Sequence, residues 1–222
     1  MTFKNTIIFG ASGDIGSAFV KKLHDQTESL TLVVREKSKL ETILIDYSKV
    51  NIIEFSFPDN LENLDKEILN SSQDFDLIVN TVGSYNSTDD IFNQLDYENM
   101  LMNNFYVLQH ILNVLKFKIH KMAKMINVSS IASHLGSDQE MAYSSSKILV
   151  DNIMASLKNN AHYKNVKTLN VRPGAVISKI TKDRPDNTKF INPDDIVDLC
   201  LNIILSGSSF DLPVIDIFRS RS

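Results

Sequence analysis

Short apolar runs alternate along the chain with longer segments in which apolar residues recur at helical spacing. Such runs are typical of buried strands, and the longer segments are typical of helices with one apolar face. The candidate strands are residues 6–9, 31–34, 51–55, 77–80, 125–128, 168–171 and 214–217. The candidate helices are residues 15–24, 61–71, 97–117, 143–160 and 194–205. This alternation predicts a parallel sheet with helices packed against its faces.

The last candidate helix has favourable residues at its start. Asn192 can cap the helix, and Pro193 fits the first helical position. Asp194 and Asp195 suit the positive end of the helix dipole. We therefore interpret this acidic pair as part of a helix start and not as a catalytic pair.

Composition limits the range of functions. The chain has 222 residues, of which 43% are hydrophobic and 23% charged, and it contains no repeat or Pro/Gly-rich linker. We therefore expect residues 1–222 to form a single domain. The formal net charge of −4 argues against a nucleic-acid-binding protein, which would normally present a basic face.

The cysteine and histidine content bears on location and metal binding. Cys200 is the only cysteine, which excludes an intrachain disulfide and suits a reducing compartment. The apolar runs are too short to span a bilayer. The five histidines are scattered without metal-ligand spacing. We expect a cytoplasmic protein that binds neither membrane nor metal.

Three glycines follow the first candidate strand in the sequence "TIIFGASGDIG". Glycines at a strand–helix junction allow a tight turn and let backbone N–H groups approach a pyrophosphate at the start of the helix. The pattern predicts a dinucleotide-binding turn. Its expected cofactor contacts are Gly10, Ser12, Gly13, Asp14, Ile15 and Gly16.

The end of the second candidate strand bears on the choice of dinucleotide. An acidic residue about twenty positions after the glycines would bind the adenosine ribose hydroxyls, whereas a cation favours a 2′-phosphate. Arg35 comes first after the apolar run, and Glu36 follows it. We favour NADP(H) through Arg35, and NAD(H) through Glu36 is the alternative.

A tyrosine and a lysine lie four residues apart at the start of a candidate helix. Tyr143 and Lys147 therefore project from one helical face. An ammonium group beside a phenol stabilises the phenolate and is expected to lower its pKa from about 10. Tyr143 is thus a candidate proton donor to a carbonyl, or a proton acceptor from an alcohol. Ser130 follows a candidate strand, at the sheet edge where ligands of parallel sheets bind.

With these residues the chain resembles the short-chain dehydrogenase/reductase family over nearly its whole length. Five elements in family order carry the resemblance. They are "GASGDIG" for the glycine turn, "NTVG" for the Asn-Asn-Ala-Gly element, Ser130 in "INVSS", the Tyr143–Lys147 pair, and "RPGAVIS" for the Pro-Gly element. The resemblance implies a doubly wound, three-layer α/β/α sheet of the Rossmann type.

The resemblance also implies roles for individual residues. Tyr143 is the expected general acid/base, Ser130 is expected to hydrogen-bond the reacting carbonyl, and Lys147 to bind the nicotinamide ribose. The family's fourth catalytic residue is an asparagine. Asn103 has the expected spacing to Ser130 and is chosen here, although Asn104 fits almost as well. Further cofactor contacts are expected from Asn80, Val82, Gly83, Tyr143, Lys147, Pro173, Gly174, Val176 and Ser178.

Two departures from the family pattern keep other functions open. Gly13 stands one position before the common second glycine, a spacing more frequent in extended relatives such as sugar-nucleotide epimerases and dehydratases. Those relatives need a further substrate domain, which 222 residues cannot supply. We therefore predict a compact NADP(H)-dependent oxidoreductase acting on a small carbonyl or alcohol, as a homodimer or homotetramer. A catalytically silent nucleotide-binding protein is the second hypothesis.

Overall fold

The computed structural model describes residues 3–40, 43, 46–59, 61–72, 74–136, 138–179, 181–184, 186–206 and 212–219. Within these ranges, seven strands form one sheet. They are β1 (Phe3–Phe9), β2 (Thr27–Val34), β3 (Val50–Glu54), β4 (Phe75–Asn80), β5 (Ile119–Val128), β6 (Lys167–Pro173) and β7 (Val214–Ile217).

The strand order is β3-β2-β1-β4-β5-β6-β7, and every neighbouring pair is parallel. The first three strands are added in one direction from β1 to β3. The chain then crosses back, and β4 pairs with the other side of β1. This reversal leaves a crevice at the carboxyl ends of β1 and β4, where parallel sheets bind their ligands. The predicted doubly wound α/β fold is confirmed.

The α-helices cover both faces of the sheet. They are α1 (Asp14–Leu23), α2 (Leu61–Leu69), α3 (Gln94–Met100), α4 (Val107–Leu115), α5 (Ala132–Leu135), α6 (Met141–Ser156) and α7 (Pro193–Leu205). Apolar side chains of α1 and α7 form one core with one face of the sheet. Those of α2, α4 and α6 form a second core with the opposite face. Successive strand residues contribute to different cores, as Ile7 and Ile8 do, because side chains alternate across a strand.

The predicted helix over residues 97–117 is interrupted. Its place is taken by α3, a wider π-helical segment at Leu101–Tyr106, and α4. π-Helical turns are rare in proteins overall, but those that occur often lie at functional sites. A pattern of apolar residues does not distinguish such a turn from a continuous α-helix, and this turn contains both candidate asparagines.

The other predicted helices correspond to α1, α2, α6 and α7 and lie close to their predicted bounds, whereas the short α5 was not predicted. Asn192 caps α7 as expected, because its side-chain oxygen accepts a hydrogen bond from the Asp194 N–H, and Pro193 occupies the first helical position. Within the described part of the chain, no helix combines the length and the apolar character that crossing a membrane requires.

Candidate active site

The glycine turn lies in the crevice, directly after β1. Gly10 has a φ of 76°, a left-handed conformation that glycine adopts at little cost. A Cβ atom on Gly10 would lie 2.7 Å from Thr81 Oγ1, and one on Gly16 would lie 2.1 Å from the Gly10 oxygen. Thr81 also binds this turn by donating its backbone and side-chain hydrogen bonds to the Phe9 oxygen. Two glycines are therefore required by the close packing of the turn against the segment after β4.

The third glycine leaves the start of α1 accessible. Gly13 is the N-cap of α1 and is exposed, and none of the described side chains caps the first turn of the helix. A Cβ on Gly13 would contact only the Gly10 oxygen, at 3.3 Å. Backbone N–H groups at an uncapped helix start bind anions such as a pyrophosphate. The glycine turn, with Ser12, Asp14 and Ile15, thus fits a dinucleotide.

At the carboxyl end of β2 the charges are mainly positive. Arg35, Glu36, Lys37 and Lys39 are all exposed there. The Glu36 carboxylate accepts a hydrogen bond from Lys39 Nζ at 2.6 Å, and this contact lowers the Glu36 pKa. Glu36 is therefore already engaged with a cation, whereas the neighbouring guanidinium of Arg35 carries a positive charge at the position expected for a ribose phosphate.

The "NTVG" segment connects the glycine turn to the candidate catalytic residues. Asn80 is buried and accepts a hydrogen bond from the Val82 N–H at 3.3 Å. Gly83 lies against two polar side chains, because a Cβ there would be 2.8 Å from Asn104 Oδ1 and 3.1 Å from Lys147 Nζ. A side chain at position 83 would press on Asn104 and crowd the Lys147 ammonium group, so glycine suits the place where this segment meets α6.

The structure reverses the choice between the two asparagines. Asn104 is 1% exposed, accepts a hydrogen bond from the Ser84 N–H and donates one to Ser146 Oγ. The Asn103 side chain is exposed and donates to the Asn99 oxygen, within its own helical segment. Adjacent helical residues point in different directions, so only one of them can face Lys147. The candidate that contacts the site is Asn104, not Asn103.

Ser130 and Tyr143 come together at the carboxyl edge of the sheet. β5 ends at Val128, and the Ile131 N–H donates to the Pro173 oxygen, which holds the following turn against the end of β6. Tyr143 lies in the first turn of α6, and its hydroxyl shares a hydrogen bond with Ser130. The two hydroxyl groups therefore lie within reach of one carbonyl oxygen.

The pKa values at this site differ from the expectation for an isolated pair. Burial raises the pKa of Tyr143 to about 12, and the hydrogen bond from Ser130 only partly opposes it. Burial also lowers the pKa of Lys147 to about 8. Lys147 Nζ lies 5.7 Å from the centre of the Tyr143 ring. The prediction that the ammonium group brings the phenol pKa down is wrong here, because desolvation of both groups is the larger effect.

The segment after β6 closes the crevice beside the glycine turn. The N–H of Gly174 donates to the Ile217 oxygen, and Val176 pairs with Ile191 as an isolated bridge. Ser178 is held in a turn, because its N–H donates to Thr181 Oγ1. The next N–H, that of Lys179, donates to the Asp14 carboxylate at 3.1 Å. Residues 173–178 therefore lie next to the start of α1, as the cofactor prediction requires.

Sequence reasoning missed an aromatic residue beside Tyr143. The ring of Tyr85 packs edge-to-face on the Tyr143 ring with centroids 5.0 Å apart. The Tyr85 hydroxyl donates to Glu140 at 2.8 Å, directly before α6 begins. Tyr85 is 41% exposed, so it forms an outer wall of the site. Its position two residues after "NTVG" is the only sequence signal for this role.

The comparisons with known proteins point to a single family. The family described as short chain dehydrogenase matches residues 4–189. An uncharacterized oxidoreductase of Staphylococcus aureus strain MW2 is 26% identical over 219 residues, covering 94% of each chain. Another, from Staphylococcus haemolyticus, is 28% identical over 203 residues and covers 86% of this chain and 87% of its own.

Solved structures show the same fold. A short-chain dehydrogenase/reductase from Brucella melitensis superposes with a TM-score of 0.85 at 15% identity, covering 98% of both chains. A short-chain dehydrogenase from Burkholderia cenocepacia, solved in complex with NADP, superposes with a TM-score of 0.79 at 16% identity, covering 99% of this chain and 89% of the other. Together with the family match over residues 4–189, these likenesses lead to one assignment: the chain belongs to the short-chain dehydrogenase family and is an NAD(P)-dependent oxidoreductase.

Proposed function

We propose that this protein reduces a small carbonyl compound with NADPH, or oxidises the corresponding alcohol with NADP⁺. The observation that supports this most directly is the hydrogen bond between Ser130 and Tyr143, with Lys147 one helical turn further along α6. This trio lies at the sheet edge that also carries the glycine turn.

The proposed cofactor site follows the carboxyl edge from β2 to β6. The glycine turn and the start of α1 would hold the pyrophosphate, and Arg35 would pair with a 2′-phosphate. Val82, Gly83, Lys147, Pro173, Gly174, Val176 and Ser178 would surround the nicotinamide half. When bound, the nicotinamide supplies or accepts the hydride that the protein's own side chains cannot provide. The NADP complex of the Burkholderia cenocepacia protein supports the choice of cofactor class.

In the proposed reduction, the carbonyl oxygen of the substrate accepts hydrogen bonds from Ser130 and Tyr143. A phenol with a pKa of about 12 stays protonated at neutral pH, so Tyr143 carries the proton that the developing alkoxide needs. The Lys147 ammonium lies beside the same ring and favours the phenolate that remains after the transfer. Asn104 holds the loop at Gly83 and thereby the position of Lys147.

A panel of aldehydes, ketones and alcohols tests this function, with NADPH, NADH and their oxidised forms as cofactors. Turnover is followed by the absorbance of the reduced nicotinamide. We expect oxidation of NADPH by at least one carbonyl compound, at a higher kcat/KM than with NADH. Tight NADPH binding without turnover of any panel member would contradict the proposal and favour a silent nucleotide-binding protein. A redox-neutral product would favour an epimerase or dehydratase.

A further inference from the structure

Three buried asparagines form a ladder across the middle of the sheet. Asn80, Asn127 and Asn170 are in register on β4, β5 and β6, and they are 1%, 0% and 2% exposed. Asn80 Nδ2 donates to Asn127 Oδ1 at 2.7 Å, and Asn127 Nδ2 donates to Asn170 Oδ1 at 2.7 Å. Each side-chain amide therefore uses its oxygen on one side and its nitrogen on the other.

The direction of this ladder is set by the backbone at its first member. The Val82 N–H can only donate, so the Asn80 side chain must turn its oxygen toward Val82 and its NH₂ group toward Asn127. Asn127 and Asn170 must then adopt the same orientation, so Asn170 Nδ2 points out of the sheet and requires an acceptor. Asp151 on α6 is that acceptor, at 2.7 Å from its Oδ1.

The other oxygen of Asp151 is held by a cation. Asp151 Oδ2 lies 2.8 Å from Arg172 Nε, as an ion pair whose N–H is not aligned for a hydrogen bond. Arg172 also lies 3.6 Å from Asp216, which pairs with His134 at 3.4 Å. The side chain of Asp151 is only 11% exposed, so its charge is poorly screened by water. Asp151 follows Lys147 by one helical turn, on the same side of α6.

We propose that Asp151 is a positioning residue for the reaction: the asparagine ladder and Arg172 hold its carboxylate one turn from Lys147, where it maintains the lysine in the ammonium form. Burial drives Lys147 toward the neutral amine, and the charge of Asp151 opposes this effect; with both acting, the pKa of Lys147 is lowered to about 8. The inference extends the proposed function, because a neutral Lys147 could not favour the Tyr143 phenolate.

Charged groups on other elements packed against α6 are also engaged with partners. Glu140, beside the start of α6, accepts the Tyr85 hydroxyl. Asp96 on α3 accepts a hydrogen bond from Asn86, and His134 on α5 pairs with Asp216. Arg172 on β6 acts on Lys147 through Asp151, whose charge it partly neutralises. Asp151 and Arg172 should therefore affect Lys147 in opposite directions.

Two substitutions test these opposite effects on the pKa of Lys147. Asp151→Asn removes the carboxylate and should lower the pKa of Lys147 by about one unit, the effect of losing a nearby opposite charge. Arg172→Gln leaves the carboxylate without its cation and should raise the pKa of Lys147. Asp198→Asn is the matched control, because it removes one carboxylate from an exposed pair with Lys22 on the other face of the sheet. The control should leave Lys147 unchanged.

The pKa of Lys147 is measured directly by NMR titration of its ε-carbon in the full chain without cofactor, with the resonance assigned by its loss in Lys147→Arg. A downward shift in Asp151→Asn together with an upward shift in Arg172→Gln supports the proposal. No shift, or shifts in one direction, would overturn it and leave Asp151 as a structural anchor. If Asp151→Asn does not fold, Arg172→Gln alone tests the proposal. An upward shift in the pKa of Lys147 then supports it, and the absence of that shift overturns it. This measurement needs no turnover, so it stands apart from the carbonyl panel.

If the panel identifies a substrate, the alkaline limb of kcat/KM for reduction gives a second readout. Loss of activity as the pH rises through about 8 would report deprotonation of Lys147, since Tyr143 loses its proton only near 12. Asp151→Asn should move this limb to lower pH and Arg172→Gln to higher pH. A purely structural defect would reduce the plateau without moving the limb.

Discussion

At the scale of single residues, Tyr143 and Lys147 share one helical face but carry out separable tasks in the proposed reaction. Tyr143 meets Ser130 at its hydroxyl group, whereas Lys147 lies against Gly83, inside the proposed nicotinamide pocket. Substitutions at the two positions should therefore differ in their effect on cofactor binding.

Tyr143→Phe removes the proposed proton donor and keeps the ring that packs on Tyr85. We expect turnover to fall by at least ~10²-fold, the lower range for general acid catalysis, and NADPH affinity to change by well under tenfold. Lys147→Ala should reduce both. Steady-state kinetics and fluorescence titration of NADPH measure the two quantities, with Tyr106→Phe on an exposed helix face as control. Wild-type turnover in Tyr143→Phe would show that another group is the acid.

Arg35 is the residue on which the preference for NADP(H) depends. Arg35→Ala should weaken NADPH binding by about 1.5–3 kcal/mol, the range for a hydrogen bond to a charged group, and leave NADH binding nearly unchanged. Lys22→Ala is a control that removes an equal charge from a surface pair. Equal affinity of the wild type for both cofactors in equilibrium titrations would contradict this role and favour Glu36.

At the scale of elements, the cap at the start of α7 allows a quantitative prediction of stability. Asn192→Ala removes the side-chain oxygen that accepts the Asp194 N–H, so a helix-start donor loses its partner. We expect a loss of about 1 kcal/mol in the free energy of unfolding and a decrease in Tm of about 2–4 °C. Thermal and urea unfolding measure both. Asn192→Asp keeps an accepting oxygen and should stay within a few tenths of a kcal/mol of wild type; an equal loss in both variants would exclude capping as the cause.

At the scale of the whole molecule, the outer faces of α4 and α6 bear on oligomer formation. A groove of about 680 Å³ lies between α2, α4 and α6, and its lining includes Tyr106 and Ile153. Beside it, Ile148 and Leu149 on α6 are 49% and 37% exposed. Apolar side chains exposed on neighbouring helices are a frequent feature of isologous interfaces. They support the prediction of a homodimer or homotetramer.

Ile148→Asp tests this interface. We expect the wild type to be a dimer or tetramer by light scattering, and the variant to dissociate at micromolar concentration because the interface would bury an unpaired carboxylate. Leu199→Asp introduces the same charge on α7, in the opposite helix layer, and should keep the wild-type mass. A wild type that stays monomeric at every concentration would contradict the prediction.

Much of the architecture follows from local patterns. Each of the seven described strands overlaps a predicted one, because each contains a short apolar run, but β5 begins six residues before its predicted start, at Ile119. The glycine turn was equally predictable, since Gly10 and Gly16 occupy positions where a Cβ atom cannot fit. That residues 1–222 form one domain and that the protein is cytoplasmic stay predictions.

The errors arose where contacts between distant parts of the chain decide the outcome. Spacing chose Asn103, but a π-helical segment turns Asn104 toward Gly83 and exposes its neighbour. A model of an isolated Tyr–Lys pair predicted a lowered phenol pKa, but burial raises the pKa of Tyr143 to about 12. The sequence of one segment does not determine how a helix is rotated against its neighbours, or how far a side chain is removed from water.

For this protein, the sequence by itself determined the order of strands and helices, the glycine turn and the types of residue able to carry the chemistry, because each depends on residues close together in the chain. Only the tertiary structure decided which asparagine meets Lys147 and how Asp151 is held. The first outcome depends on how the π-helical segment packs against Gly83, and the second on β4, β5, β6 and α6 packing together, which brings Asn80, Asn127, Asn170 and Asp151 into one hydrogen-bonded line. Hydrogen bonds act over about 3 Å of space, whatever the separation of their partners along the chain.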